Sequence, residues 1–182
     1  YEGADAIMLS AESAAGKYPI EAVTTMNNVA ISVESDPVYR QIIEASRNVN
    51  RASVADGIVA AAREIAESAD IKAICCFSQS GTTVSLVARE RPRVPIIALT
   101  PLIGTARRMS LTWGAHCVIA EEQDRFKGAV IAAVRAARTY GFASEKDQIV
   151  LTAGVPFNVQ GTTNILRVAP CDERLIYKAD PE

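Results

Sequence analysis

With 182 residues, 49% of them hydrophobic, the chain can bury one sizeable core with at most a small appendage. Charged residues make up 22% and nearly cancel to a net charge of −2, with a pI near 5.6, which argues against a dedicated nucleic-acid or anionic-membrane binder. Aromatics at 5% are too few for a base-stacking platform, and no apolar run approaches the roughly 20 residues that cross a bilayer, so neither nucleic acid nor membrane is expected as a partner.

In chain order, residues 6–9 (AIML) read as a short buried strand. From Pro19, PIEAVTTMNNVAISVESD sets apolar residues at helical spacing, with proline at a permitted first-turn position. Pro37 disfavours helix at Asp36, so Ser35-Asp36-Pro37 is a break and a second helix starts near Val38. A polar link follows at residues 48–51. SVADGIVAAAREIAESA is then an amphipathic helix capped by Ser53, with Asp56 three residues on as an approximate capping box.

Beyond it the pattern alternates: strand IKAICCF, helix TVSLVARER ending at Arg91-Pro92, strand VPIIALT, and a short helix from Ile103 to Leu111. Strand AHCVIA, helix KGAVIAAVRAARTYG closed by Gly141, and strand DQIVLTAG come next. NILRVAP has no room for a helix before it, so it should pair antiparallel. The fold class expected is α/β: a layered, mostly parallel five-stranded sheet whose last strand is antiparallel, with helices on both faces.

Four cysteines, Cys75, Cys76, Cys117 and Cys171, read as reduced, mostly buried thiols of a cytoplasmic protein. Adjacent Cys75 and Cys76 in a strand point to opposite faces and cannot share a metal. His116, the only histidine, is too isolated for a triad or a zinc site.

Two loops invite a phosphate. Ala11 to Lys17 fits a loose small-x-x-x-x-Gly-Lys template, yet Tyr18 stands where a phosphate-binding loop needs Ser or Thr to hold magnesium. Its small residues are Ala and Ser, which do not share glycine's access to positive φ, so this loop is rejected. Ser78-Gln79-Ser80-Gly81-Thr82-Thr83 lies between a strand and a helix, where open α/β sheets bind ligands. Its hydroxyls and the amides of the helix N-terminus suit an anion, but Ser, Thr and Gly are also what an ordinary capped turn uses.

Residues 3–23, GADAIMLSAESAAGKYPIEAV, resemble the segment that closes the catalytic barrel of pyruvate kinases, departing at Ala11, where Gly is usual, and at Ser13, where Thr is usual. Further stretches match in order and spacing: CCFSQSGTTVSLVARERPRVPIIALTP (75–101), ARRMSLTWGA (106–115) and IVLTAGVPFNVQGTTNILRV (149–168). The resemblance covers essentially the whole chain. It implies that residues 1–34 are the last strand and helix of a (β/α)8 barrel, a TIM-barrel remnant, and that residues 35–182 are the family's C-terminal allosteric and oligomerisation domain. A full barrel takes about 250 residues.

The implied reaction of the parent enzyme, in glycolysis, transfers a phosphoryl group from phosphoenolpyruvate to ADP, giving pyruvate and ATP with Mg2+ and K+. The family's phosphate-polarising lysine, metal ligands and substrate-side threonine belong to motifs preceding Tyr1, so the 182 residues alone are expected to bind neither ion and to be inactive. Ser10 and Glu12, just past AIML, are carried over only as weak catalytic candidates supporting proton delivery to the enolate; capping the loop is the competing role.

In the same family, Ser78–Thr83 resembles the loop gripping a phosphate of a sugar-phosphate effector. It is also similar to the S-x-S-G-x-T loop of sugar isomerase (SIS) domains. A free-standing phosphosugar module is therefore the alternative, though it leaves MLSAESAAGKYP and RPRVPIIALTP unexplained. A third reading is a domain serving only tetramer assembly. A second effector loop is expected at Gly154, Gly161 and Thr162. The late loop AGVPFNVQGT carries no Lys or Arg, which points to a monophosphorylated effector. Arg107 and Arg108 are weaker contributors, better read as a basic surface helix. Homotetramers are usual in the family, and the apolar edge strand NILRVAP leads to an expectation of at least a dimer.

Overall fold

A computed structural model describes residues 1–46, 53–157, 159 and 162–178, in two units, Tyr1–Val49 and Asn50–Glu182. The polar link at 48–51 and Gly161 lie outside the described residues.

The first unit is helical: α1 (Ala11–Ala14), α2 (Pro19–Ser35) and α3 (Pro37–Ala45). Pro19 and Pro37 each open a helix, where a missing N–H costs nothing. Asp36 makes the break as expected: extended before Pro37, its carboxylate caps α3 by accepting from the Val38 amide at 2.8 Å. The Tyr1 hydroxyl donates to the same carboxylate at 2.6 Å. Helix α3 thus falls in the first unit by compactness.

One expectation fails here. Residues 6–9 form no strand; Ile7 is 56% and Met8 89% exposed. A strand makes its hydrogen bonds only with a neighbour, and the described part of this unit offers none. Helix α2 forms without such help, although none of its residues is buried.

In the second unit the sheet runs β3-β2-β1-β4-β5. The elements are α4 (Val54–Ser68), β1 (Ile71–Phe77), α5 (Thr82–Arg89), β2 (Ile96–Thr100), α6 (Ile103–Met109), β3 (Ala115–Ile119), α7 (Phe126–Thr139), β4 (Gln148–Gly154), β5 (Thr163–Pro170) and α8 (Glu173–Lys178). The first four strands are parallel, and β5 runs antiparallel to β4, as the sequence pattern requires. Helix α8 was not foreseen: six residues give too little pattern to read.

Two cores sandwich the sheet. Cys75, Ile97, Leu99 and Leu151 pack with Val130 and Val134 of α7 on one face. Cys76, Ile74, Ile96 and Val150 pack with Val59 of α4 and Val84 and Val87 of α5 on the other. The paired cysteines therefore do point to opposite faces, and all four thiols are free. Burial pushes Cys76 up to about 12 and Cys171 up to about 11.

Local rules account for the helix ends. Ser53 caps α4 by accepting from the Asp56 amide at 3.2 Å, and its hydroxyl donates to the Asp56 carboxylate at 2.7 Å. At the end of α7, Gly141 takes φ +75°, so Phe142 N–H reaches the Ala137 carbonyl (2.9 Å) and Gly141 N–H that of Arg138 (3.1 Å), a Schellman closure. His116 packs its ring 4.6 Å from Tyr140 and 5.1 Å from Phe142, a packing role.

Candidate functional site

Strand β1 lies in the middle of the parallel run, with β2 and β3 to one side and β4 to the other. Successive connections leave β1 and β4 in opposite directions, and a crevice opens at the carboxyl ends of strands where the order switches. The loops after β1, β3 and β4 gather there around an open cleft.

The loop after β1 forms its floor. Ser78 N–H is anchored to the Leu99 carbonyl at 3.1 Å, and the Ser78 hydroxyl accepts from the Gly81 amide at 2.9 Å. Gly81 takes φ +90°, a conformation that side chains resist, and a Cβ there would meet Met109 Sδ at 2.6 Å. The positive φ is what requires glycine; the flexible end of Met109 can move aside. Helix α5 starts at Gly81, which has no side chain to cap it. The positive end of the helix therefore opens on the cleft, with only Ser78 and, weakly, Ser80 meeting its first amides.

The hydroxyls of Ser80 and Thr82 lie 2.9 Å apart, and the Thr82 amide donates weakly to Ser80 at 3.4 Å. Helix α6 holds this loop from behind: the Thr105 hydroxyl donates to the Gln79 carbonyl at 2.7 Å and Arg108 to that of Ser80 at 3.4 Å. Arg108 also reaches the Thr105 hydroxyl at 3.1 Å, so it props the loop, and neither Arg107 nor Arg108 is among the lining residues.

Five of the six predicted residues of this loop, Ser78, Gln79, Ser80, Thr82 and Thr83, line the cleft, with Gly81 buried beneath. Thr83 is mostly turned to a buried hydroxyl pair with Thr163 at 2.6 Å, which ties α5 to β5. From the late loop, Gly154 and Thr162 both line the cleft and press on each other; a Cβ on Gly154 would collide with Thr162. Asn164 closes that loop, donating to the Val155 carbonyl at 2.7 Å and accepting from its amide at 3.0 Å.

Sequence reading missed the third wall, Glu121, Glu122 and Gln123, together with Phe77, Pro101, Phe157, Val159 and Thr163. The three wall residues follow β3, and the rule that ligands collect where parallel strands end would have flagged them. Gln79 bridges to this wall, donating to Glu122 at 3.3 Å. No lysine or arginine is among the described lining residues.

Ser10 and Glu12 belong to the first unit. Glu12 accepts from the Ser10 amide at 3.0 Å, and amide hydrogen bonds, its own foremost, hold its carboxyl below the ordinary value. Both residues are exposed and their contacts here are those of a loop cap. Among the described residues no three His, Cys, Asp or Glu side chains come together as a metal would need. Among them, too, no helix is long and apolar enough to cross a membrane.

Set against known proteins, residues 56–169 match the family model described as pyruvate kinase, alpha/beta domain. A pyruvate kinase of Methylorubrum extorquens is 43% identical over 169 residues, 93% of this chain and 35% of that protein. One from Agrobacterium vitis is 40% identical over 168 residues, 92% of this chain and 35% of its own length. One from Clostridium acetobutylicum is 37% identical over 168 residues, 92% and 36% respectively. The chain spans about a third of the length of these relatives.

Proposed function

Because the chain belongs to the pyruvate kinase family, matching the C-terminal part of its members, we propose that its 182 residues form the regulatory and assembly portion of such an enzyme. The whole protein, on this proposal, transfers a phosphoryl group from phosphoenolpyruvate to ADP in cytoplasmic glycolysis, as a homotetramer using Mg2+ and K+. That chemistry is positioning and charge neutralisation by groups other than those described here. Residues 1–34 are proposed as the closing strand and helix of its barrel. The exposed apolar side chains Ile7, Met8 and Ile20 support this, being suited to cover by further barrel strands. Ser10 and Glu12 would then support proton delivery at the strand ends.

The role proposed for the second unit is to hold a phosphorylated effector. One observation carries it: a ring of hydroxyls from Ser78, Ser80 and Thr82 at the uncapped start of α5, inside a cleft at the switch point of the sheet. Assembly is proposed through the free edge of β5, where Val168 is exposed on the outermost strand.

The test is a thermal-shift titration of the chain, followed by Trp113, its only tryptophan, with a hexose monophosphate and a nucleoside monophosphate. Saturation at 100 times Kd raises stability by about 2.7 kcal/mol. The doubly substituted Ser80→Ala/Thr82→Val chain should lose that shift. If neither compound moves the transition, the effector reading is wrong. Coupled-assay turnover by the same chain would overturn the regulatory assignment, and a strict monomer at high micromolar concentration would count against assembly.

A further inference from the structure

The cleft is polarised end to end. Its floor presents hydroxyls and the positive end of α5; the wall beside it, from the loop after β3, presents Glu121 and Glu122, both exposed. The floor suits one phosphate. The wall repels a second.

Carboxylates only accept hydrogen bonds, so this wall favours ligand hydroxyls and disfavours any further anion. Nothing on the remaining side compensates, since the late loop from Ala153 to Thr162 contains no Lys or Arg at all. The wall is also held in place. Gln79 of the floor donates to Glu122 at 3.3 Å, and Gln123 donates to the Glu121 carbonyl at 3.1 Å. Gln123 in turn lies against Gly128 at the start of α7, where a larger residue would displace it.

We propose that Glu121 and Glu122 are specificity-determining residues that restrict this cleft to a hydroxyl-rich phosphomonoester, such as a sugar monophosphate, and reject a sugar bisphosphate. The proposal rests on the reading of Ser78–Thr83 as the phosphate floor. Discrimination comes mainly from repulsion of the wrong ligand and secondarily from hydroxyl donation by the right one.

Calorimetric titration of the chain with a hexose 6-phosphate, a hexose 1,6-bisphosphate and inorganic phosphate tests it. The monophosphate should bind at least tenfold more tightly than either other compound. In Glu121→Gln/Glu122→Gln, which keeps the amide oxygen that Gln79 needs, the preference over the bisphosphate should fall to within threefold. Raising the salt on the unsubstituted chain should also narrow it by screening the repulsion. Comparable binding of the two sugars by the unsubstituted chain, or an unchanged ratio in the double substitution, overturns the specificity claim and leaves the phosphate floor standing. Failure of every phosphate compound to bind overturns both. Unchanged Trp113 emission and melting temperature in the double variant show that folding is not what altered the ratio.

Discussion

Residues 6–35 and residues 71–89 are written in the same order: an apolar run, a loop of small and hydroxyl residues ending near a glycine, then a helix. In the second case the run becomes β1, bonded to β2 on one side and β4 on the other, with its side chains in both cores. In the first case AIML joins no strand and is largely exposed, while α2 forms all the same. The two loops differ likewise. Ser78–Gly81 is braced by α6 and by β2, whereas 10–17 makes only local bonds, such as Ala14 N–H to the Ser10 carbonyl at 3.1 Å. A helix closes its own hydrogen bonds; a strand, and a loop built for a ligand, need the rest of a domain around them.

The largest effect that would sharpen this contrast is alkaline. An unfolded thiol ionises near 8.5, but burial pushes Cys76 in β1 up to about 12, only partly offset by the hydrogen bond from Thr152. A raised folded value means that stability is full below about pH 8.5 and is lost as pH climbs toward 12, by about 1.4 kcal/mol per pH unit for this thiol. Burial raises Cys75 in the same direction. Denaturant midpoints followed by Trp113 from pH 8 to 11 should fall accordingly, and Cys76→Ala should flatten the slope by one proton's worth. Equal slopes would show that β1 is less enclosed than described. The first unit contains no cysteine, so the thiol part of this limb belongs to the second unit.

Next in size is the core. Leu151 of β4 is fully buried beside β1, and Leu151→Ala should cost about 2–5 kcal/mol through lost contacts and the cavity left behind. Met8→Ala, at a side chain 89% exposed, should change stability by less than about 0.5 kcal/mol. Comparable losses at the two positions would break the contrast, because they would mean that AIML is packed as a strand after all.

The contrast also explains what was legible. Elements of the second unit could be read because each apolar run, such as VPIIALT, met partners of the same kind within the chain, so local pattern and tertiary outcome agreed. The antiparallel β5 followed from chain length alone. AIML was misread because its pattern is that of a strand while the partners such a strand requires are missing from the described residues. At the cleft, the Ser78–Thr83 floor announced itself through hydroxyls and glycine at a strand-helix junction. Glu121 and Glu122 did not, since two exposed glutamates after a strand look like any solvated turn until topology brings them to the same cleft as that floor.

Glycines come third. Gly81→Ala faces both a positive φ and the Met109 sulfur, and should cost about 1–3 kcal/mol while disturbing phosphate binding. Gly16→Ala also meets a close neighbour, the backbone carbonyl of Glu12, so the exposed loop itself must shift to admit it, but no positive φ adds to that cost. Denaturant midpoints followed by far-UV circular dichroism, to which the helices of both units contribute, should move more for the first than for the second. A shift for Gly16→Ala as large as that for Gly81→Ala would show that the loop 10–17 is held as firmly as the phosphate floor.

The smallest effect separates the two serines that open the loops. Ser78 gives its hydroxyl oxygen to the Gly81 amide at 2.9 Å, in a half-buried setting where water cannot easily replace it. Ser78→Ala leaves that amide without its acceptor and should cost about 1 kcal/mol, roughly 3 °C in the melting temperature of a domain this size. At Ser10 the bonds run through the backbone: its amide donates to Glu12 and its carbonyl accepts from Ser13 at 3.4 Å. Ser10→Ala keeps both, so the melting temperature should hold within about 1 °C. In an isolated 182-residue chain this null is required whatever the residue does in a complete barrel, because a role in proton delivery would be read in turnover of the whole enzyme and not in the stability of this loop. A clear destabilisation at Ser10 would instead mean that its hydroxyl already has a structural partner, and the loop 10–17 would then be built as Ser78–Thr83 is, from contacts beyond its own residues.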